Sequence, residues 1–179
     1  QVSLGGRNQG CRVDLWFGNS TFCSKPGVKI GMTHGYIEHC LFCRIAAGHL
    51  PAHFVYESPK VVAFLDIRPI RTGHIQIIPR AHFDYYDTIP LETLTEIASV
   101  GQQLAPILRH LFAVERVAFL FTGGDIPHAH AHVVPMVEAT DITSRQYIAE
   151  QTITFQDRPR VPDSELSATA KSLRSRLQG

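Results

Sequence analysis

The segment His128-Ala129-His130-Ala131-His132 alternates histidine with alanine and continues into two valines and a proline. Successive side chains of a β-strand point to opposite faces, so a strand here places three imidazoles on one surface and small alanines on the other. Imidazole titrates near neutral pH and acts as nucleophile, acid, base or metal ligand. The alternation therefore predicts a strand with one reactive face; a histidine-rich metal-binding tract is the alternative interpretation.

The remaining apolar pattern divides the chain into strands and helices. Four β-rich runs precede the histidine strand, at 54–57, 61–65, 75–78 and 117–121. Apolar spacings of three and four predict a short helix over 41–47, a long helix with Pro90 in its first turn and a C-terminal helix over 166–177. Pro106 lies inside the long helix and is expected to kink or shorten it. Consecutive strands joined by short turns, with one long helix between the third and fourth, predict an antiparallel α+β fold.

Composition limits the class of protein. The chain has 179 residues and 44% hydrophobic content, which suffices for the core of one compact domain. Its 17 Lys and Arg residues nearly balance 16 acidic ones, so no overall field favours nucleic acid or a membrane surface. Because no apolar run reaches the roughly 18 residues of a membrane span, and no signal-peptide pattern is present, we expect a cytoplasmic protein.

The N-terminal part differs in character from the rest. Residues 1–35 are rich in glycine and polar residues and lack periodic apolar positions. Such a segment buries too little apolar surface to fold alone, so we expect a flexible extension there. The functional domain is then expected over residues 36–179, with a helical tail at its C-terminus.

Several ordered motifs of this chain together resemble the histidine triad (HIT) family of nucleotide hydrolases and transferases. The family signature is His-x-His-x-His followed by two apolar residues, here His128 to Val134. The resemblance continues upstream through 40–48, 63–69 and 73–82. It implies that residues 36–179 form a HIT domain, with a five-stranded antiparallel sheet, one long and several short helices, and usually a homodimer.

The resemblance also implies a reaction at the α-phosphate of purine nucleotide phosphoramidates or dinucleoside polyphosphates. The middle histidine, His130, would attack phosphorus and form a nucleotidyl-histidine that water or another acceptor resolves. His132 matches the residue that orients the active face and contacts phosphate, and His74 matches a residue that packs beside it. Two rival hypotheses stay open: a nucleotide phosphorylase, and a nucleotide-binding or partner-binding protein with little turnover.

The loop before the histidines departs from the better-known members, which carry Gly-Gln-[Ser/Thr]-Val there. This chain has Gly123, Gly124 and Asp125, followed by Ile126 and Pro127. The backbone N–H groups of the two glycines are expected to contact phosphate. A carboxylate beside phosphate repels it unless protonated, or else protonates the leaving group or activates water. Asp125 therefore joins the triad histidines as a candidate catalytic residue, and the loop gives the binding hypothesis some weight.

Residues for the rest of the nucleotide are implied by the same resemblance. Asp66 matches the acid that accepts hydrogen bonds from ribose hydroxyls. The apolar slot for the base matches Leu41, Phe42, Ile45, Phe64 and Ile67. By pattern alone these apolar residues would be assigned to an ordinary core, whereas an acid at the end of an apolar strand needs partners if buried.

Cys40 and Cys43 form a Cys-x-x-Cys pair, which by itself indicates metal ligands, a redox couple or free thiols. Some members of the family, and galactose-1-phosphate uridylyltransferases, use a metal site that matches these cysteines together with His82 and His128. Two thiolates and two imidazoles form a tetrahedral set suited to Zn²⁺. His128 would then bind zinc rather than phosphate.

Overall fold

Five strands and three α-helices make up the part of this computed structural model that is described, residues 35–123, 126–143 and 159–178. The strands are β1 Phe54–Glu57, β2 Val61–Leu65, β3 Ile75–Pro79, β4 Arg116–Thr122 and β5 His130–Met136. The helices are α1 Leu41–Ala46, α2 Leu91–Phe112 and α3 Asp163–Leu177, with a 3-10 turn at Tyr86–Thr88. All neighbours in the order β1-β2-β3-β5-β4 are antiparallel, which confirms the expected α+β fold.

The extension expected over 1–35 falls outside the described residues except for Gly35. The backbone of Gly35 pairs with His82 as an isolated bridge, with the His82 N–H donating to the Gly35 carbonyl at 2.9 Å. None of the described helices combines the length and the apolar character that a membrane crossing requires.

The two faces of the sheet bury different sets of side chains, as the period of two in a strand requires. Odd-numbered residues of β2 and β3, such as Ala63 and Ile77, pack in the main core with α2 and α3. Even-numbered residues, such as Phe64 and Ile78, pack against α1 in a second cluster. The face under α1 also carries His130 and His132, so this smaller layer frames the candidate site.

Helix α2 is continuous through Pro106, and the expectation that this proline shortens the helix is wrong. Pro106 lies on the exposed side of the helix, and so does Gln102, whose carbonyl loses its helical N–H donor. Water can hydrogen-bond that carbonyl, so the missing bond does not end the helix. The helix ends instead at Ala113, which adopts a left-handed conformation with φ 52°.

Strand β5 begins at His130, so the prediction that all three histidines lie within one strand is wrong for His128. The ladder with β4 ends at the pair Thr122 and His130. Just before it, the Ala129 N–H donates to the Phe83 carbonyl at 2.6 Å, outside the ladder. His128 therefore lies in the turn that precedes β5, and its side chain belongs to a different group of residues from those around His130 and His132.

Candidate active site

The imidazole of His130 is buried at the start of β5, and its hydrogen bonding defines one tautomer. Nδ1 lies 2.7 Å from the backbone carbonyl oxygen of His128. A carbonyl oxygen only accepts, so Nδ1 carries the proton in the neutral ring and Nε2 keeps a free lone pair. The ring of Phe42 from α1 meets His130 edge-on at a centroid distance of 5.2 Å and limits its rotation. The result is an oriented imidazole with a nucleophilic nitrogen.

A second imidazole, His132, is held by a chain of three hydrogen bonds. The Ile70 N–H donates to Nδ1 of His74 at 3.2 Å, so in the neutral ring the His74 proton is on Nε2. That nitrogen lies 2.9 Å from Nδ1 of His132, which must accept. Nε2 of His132 then carries its proton, 2.7 Å from Oγ1 of Thr122. His132 is therefore a donor on the side that faces Thr122, and both residues line one cleft.

The backbone turn at Gly73 positions His74 in this series of hydrogen bonds. Its φ is +90°, in the left-handed region that favours glycine. A Cβ at this position would lie 2.2 Å from the ring of Phe112, so the close approach of that ring also requires glycine. The predicted pairing of His74 with the third triad histidine is thus built by a glycine turn packed on the end of α2.

An open cleft of about 1210 Å³ lies beside the histidines. All five residues expected to form the base slot line it: Leu41, Phe42, Ile45, Phe64 and Ile67. The rings of Phe42 and Phe64 meet edge-on at 5.7 Å. Leu41 and Ile67 are each 46% exposed, although both are large apolar residues. The cleft therefore offers an exposed apolar surface of the kind that binds a flat ring.

Asp66 lies in the same cleft with both carboxylate oxygens engaged. Oδ1 accepts from the Arg68 N–H at 2.7 Å, and Oδ2 accepts from Nε2 of Gln76 at 2.9 Å. Each oxygen has a further lone pair, so the carboxylate is oriented and still able to accept from a ligand. The assignment from sequence did not include Gln76. The signal that points to it is a polar residue within the apolar run of β3.

Two of the described candidates, Gly123 and His128, do not line the cleft. Gly123 follows β4 and is exposed, and a Cβ on it would lie 2.4 Å from the ring of Tyr85. Gly124 and Asp125 lie outside the described residues. His128 is fully buried and faces away from the cleft wall toward a different group of side chains.

That group consists of Cys40, Cys43, His82 and His128, all buried, with one ligand atom from each within 4.8 Å of the others. Nδ1 of His128 lies 3.5 Å from the Sγ atoms of both cysteines, and Nδ1 of His82 lies 3.3 Å from Sγ of Cys43. Both cysteines are unpaired thiols. Three separate segments of the chain thus converge on one point.

Outer hydrogen bonds orient both imidazoles for metal binding. Nε2 of His128 lies 3.0 Å from the Pro79 carbonyl, and Nε2 of His82 lies 2.8 Å from the Asp84 carboxylate. These acceptors hold the ring protons on Nε2 and leave a lone pair on each Nδ1, aimed at the cysteines. Burial lowers the pKa of His128 to about 4, which keeps the ring neutral. The donor set fits a tetrahedral divalent metal with nitrogen and sulfur ligands.

Comparison with known proteins agrees with this geometry. The HIT domain family model matches residues 47–139. An uncharacterised HIT-like protein of Methanocaldococcus jannaschii is 31% identical over 103 residues, which cover 55% of this chain and 80% of that protein. The adenosine 5'-monophosphoramidase of Candida albicans is 32% identical over 105 residues, which cover 54% of this chain and 69% of the enzyme.

Two solved structures share the fold. A zinc-bound histidine triad family protein of Mycobacterium smegmatis superimposes with a TM-score of 0.60 at 29% identity, covering 78% of this chain and 94% of that one. A hypothetical histidine triad nucleotide-binding protein of Sulfolobus tokodaii gives a TM-score of 0.62 at 26% identity, with 78% and 92% covered. Because the family model spans more than half of the chain and its motif residues converge in one site, the chain belongs to the histidine triad family.

Proposed function

We propose that this protein is a nucleotide hydrolase or nucleotidyl transferase that acts at the α-phosphate of purine nucleotide phosphoramidates or dinucleoside polyphosphates. The observation that carries the proposal is the 2.7 Å contact between Nδ1 of His130 and the His128 carbonyl, which assigns the ring proton to Nδ1 and leaves Nε2 as a nucleophile. Relatives from Candida albicans and Saccharomyces cerevisiae, 32% and 31% identical, are named adenosine 5'-monophosphoramidases.

The first step is a displacement at phosphorus. The lone pair on Nε2 of His130 forms a bond to the α-phosphorus while the bond to the leaving amine or phosphate breaks. The His128 carbonyl stabilises the positive charge on the ring by accepting from Nδ1. His132, held as a donor by His74, faces the phosphoryl oxygens. The leaving group takes a proton, for which Asp125 is the proposed source.

The second step releases the nucleotide. Water attacks the same phosphorus, its proton is taken up by the Asp125 carboxylate left from the first step, and the phosphorus–nitrogen bond breaks. Nucleoside monophosphate departs and the neutral His130 is restored. Transfer differs only in the acceptor, since any nucleophile that replaces water leaves with the nucleotidyl group.

Substrate binding uses the rest of the cleft. The base lies in the apolar slot between Phe42 and Phe64, and Asp66 accepts from the ribose. The backbone N–H groups of Gly123 and Gly124 are proposed to contact phosphate. A purine fits because its two fused rings cover more of the exposed apolar surface of Leu41 and Ile67 than a pyrimidine does.

Zn²⁺ is the metal we assign to Cys40, Cys43, His82 and His128. The four donors match its ligand preference, and the Mycobacterium smegmatis relative is a zinc-bound protein. Because all four ligands would come from the protein, the ion would serve as a structural crosslink. It would tie the start of α1 to the turn that enters β5, and so hold Phe42 and His130 together.

We also propose a cytoplasmic homodimer that binds neither nucleic acid nor membrane. Buried unpaired thiols are typical of a reducing compartment. For the dimer, β4 is the last strand of the sheet order and has one unpaired edge within the described residues. Phe119 of this strand is 42% exposed. An exposed edge with an apolar side chain is a surface that a second copy can cover.

The test is incubation of the full chain with adenosine and guanosine phosphoramidates and with dinucleoside polyphosphates, with and without inorganic phosphate. We expect nucleoside monophosphate as product, and no product with His130→Ala. The matched control is His110→Ala, a change of an exposed histidine on α2, which should keep full turnover. Nucleoside diphosphate formed from added phosphate would establish the phosphorylase, and adenosine monophosphate binding without turnover of any substrate would establish the binding protein.

A further inference from the structure

Gln76 is a buried polar residue in the apolar strand β3, with its side chain only 6% exposed. Its Nε2 donates to Oδ2 of Asp66 at 2.9 Å. Its Oε1 is buried and receives no hydrogen bond from the part of the chain that the structure describes. Folded proteins keep few such acceptors, because an unpaired buried polar atom has lost its water without gaining a partner.

The orientation of this amide follows from its partner. Asp66 in its ionised form only accepts hydrogen bonds, so the nitrogen end of the amide must face it. The reverse orientation would place the amide oxygen against a carboxylate oxygen. Oε1 therefore points away from Asp66, and because it has no donor among the described residues it is an acceptor that a ligand hydroxyl can satisfy.

The position of Gln76 within the sheet indicates which ligand group supplies that donor. Phe64 of β2 lies directly opposite Gln76, and Gln76 lies directly opposite His132 of β5. Opposed residues point to one face, and adjacent strands are about 4.8 Å apart, so Phe64 and His132 are about 10 Å apart. All three residues line the cleft. A nucleotide laid along this row has its base at Phe64, its phosphate at His132 and its sugar at Gln76.

We propose that Gln76 determines sugar specificity: its Oε1 accepts a hydrogen bond from one ribose hydroxyl, while its Nε2 holds Asp66 in place to accept from the other. The inference rests on the proposed function, because it requires a nucleotide in the cleft with phosphate at His130. Phosphate oxygens only accept and cannot serve Oε1, whereas a ribose hydroxyl can donate. A sugar without that hydroxyl leaves the acceptor unpaired, which is the situation in which proteins discriminate most strongly.

Calorimetric titration of the full chain with AMP, 2'-deoxy-AMP and 3'-deoxy-AMP tests this. We expect the unmodified protein to bind AMP about tenfold or more tightly than one of the two deoxy analogues. In Gln76→Leu this preference should fall to about twofold or less, because the variant has no acceptor that the missing hydroxyl would leave unpaired. The deoxy analogue whose affinity relative to AMP rises in Gln76→Leu lacks the hydroxyl that donates to Oε1.

A second variant and a control separate this role from a structural one. Gln76→Met keeps the length of the side chain and removes the unpaired acceptor, so it should also lose the sugar preference while its melting temperature stays equal or rises. Phe64→Leu should weaken all three nucleotides equally and keep their ratio. Two results would contradict the inference while AMP still binds and is produced, so that the proposed function stands. Either both Gln76 variants keep the preference for AMP over the deoxy analogue, or the unmodified protein shows no such preference. If AMP does not bind at all, both are wrong.

Discussion

Nδ1 of His130 lies 2.7 Å from the carbonyl oxygen of His128. The same His128 places Nδ1 of its own ring 3.5 Å from the Sγ atoms of Cys40 and Cys43. One residue thus uses its backbone to orient the proposed nucleophile and its side chain to join the proposed metal cluster. The two sites are adjacent but chemically separable, and variants can distinguish them.

His130→Ala should abolish turnover and leave the metal content unchanged. Loss of the nucleophile removes the covalent route, and comparable losses in other enzymes reduce the rate by a factor on the order of 10⁴ or more. Because His130 lines the open cleft, its truncation should have little effect on folding. His128→Ala should instead lose metal, thermal stability and activity together. Near-normal turnover in His130→Ala, or loss of its metal, would show that the roles are wrongly assigned.

The purified protein should contain about one zinc ion per chain, measured by metal analysis under reducing conditions without chelator. Cys43→Ser should lose most of the metal and melt at a lower temperature, because the four ligands form a closed set. Asp84→Ala removes only the acceptor for His82 and should weaken zinc affinity by about 10- to 100-fold. The control Ala46→Ser places the same hydroxyl on α1 away from the ligands and should keep its zinc. A metal-free wild-type protein would refute the assignment.

Asp141→Asn should destabilise the protein at neutral pH and have little effect in acid. Burial of Asp141 opposes its ionisation, but hydrogen bonds from Arg71 and from the N–H groups of Glu138 and Val137 outweigh this and lower the pKa of the carboxyl. Its stabilising contribution is therefore fully present above about pH 4 and is lost as the pH falls through the lower folded pKa.

At pH 7 we expect Asp141→Asn to cost about 2 kcal/mol of unfolding free energy, measured by thermal or urea unfolding. The exposed Asp87 offers a control with the same charge change, and Asp87→Asn should cost much less. An equal loss for Asp141→Asn at pH 7 and near pH 2 would contradict the ionic origin of the effect.

Phe119→Lys should convert a dimer into a monomer. The Phe119 ring packs across Gly101 of α2, where an added Cβ would lie 2.5 Å from the ring. Phe119 also belongs to β4, the strand with the exposed edge. Light scattering should give about twice the chain mass of 19.9 kDa for the unmodified protein and one chain mass for the variant. Leu91→Lys changes another exposed apolar residue, on the first turn of α2, and should remain dimeric.

A chain that begins at Met32 should keep its activity and its melting temperature. The glycine-rich, aperiodic residues before it are predicted to bury little surface. Removing them should therefore change the unfolding free energy by less than about 1 kcal/mol, which corresponds to a shift of about 2 to 4 °C in a protein of this size. A larger fall in the melting temperature would show that the extension packs against the domain.

The sequence by itself determined the elements and the family. The alternating histidines, the strand runs and the amphipathic stripes of α2 and α3 are local patterns, and local periodicity reports which face of an element is buried. The bounds of β1 and β2 match the prediction, and the HIT domain assignment is confirmed. Pro106 was misjudged because sequence spacing does not show that the Gln102 carbonyl, which loses its helical donor, faces solvent.

Only the tertiary structure decided the tautomers and the partners. The proton positions on His130 and His132 depend on acceptors contributed by the entering turn and by β4, and on the Ile70 N–H that donates to His74. His128 lies outside the strand where the next residue, Ala129, donates its N–H to the Phe83 carbonyl, 46 residues earlier in the chain, instead of to a neighbouring strand. Gln76 becomes significant only because β2 and β5 place Phe64 and His132 on either side of it. Such relationships join residues distant in sequence, and no local period encodes them.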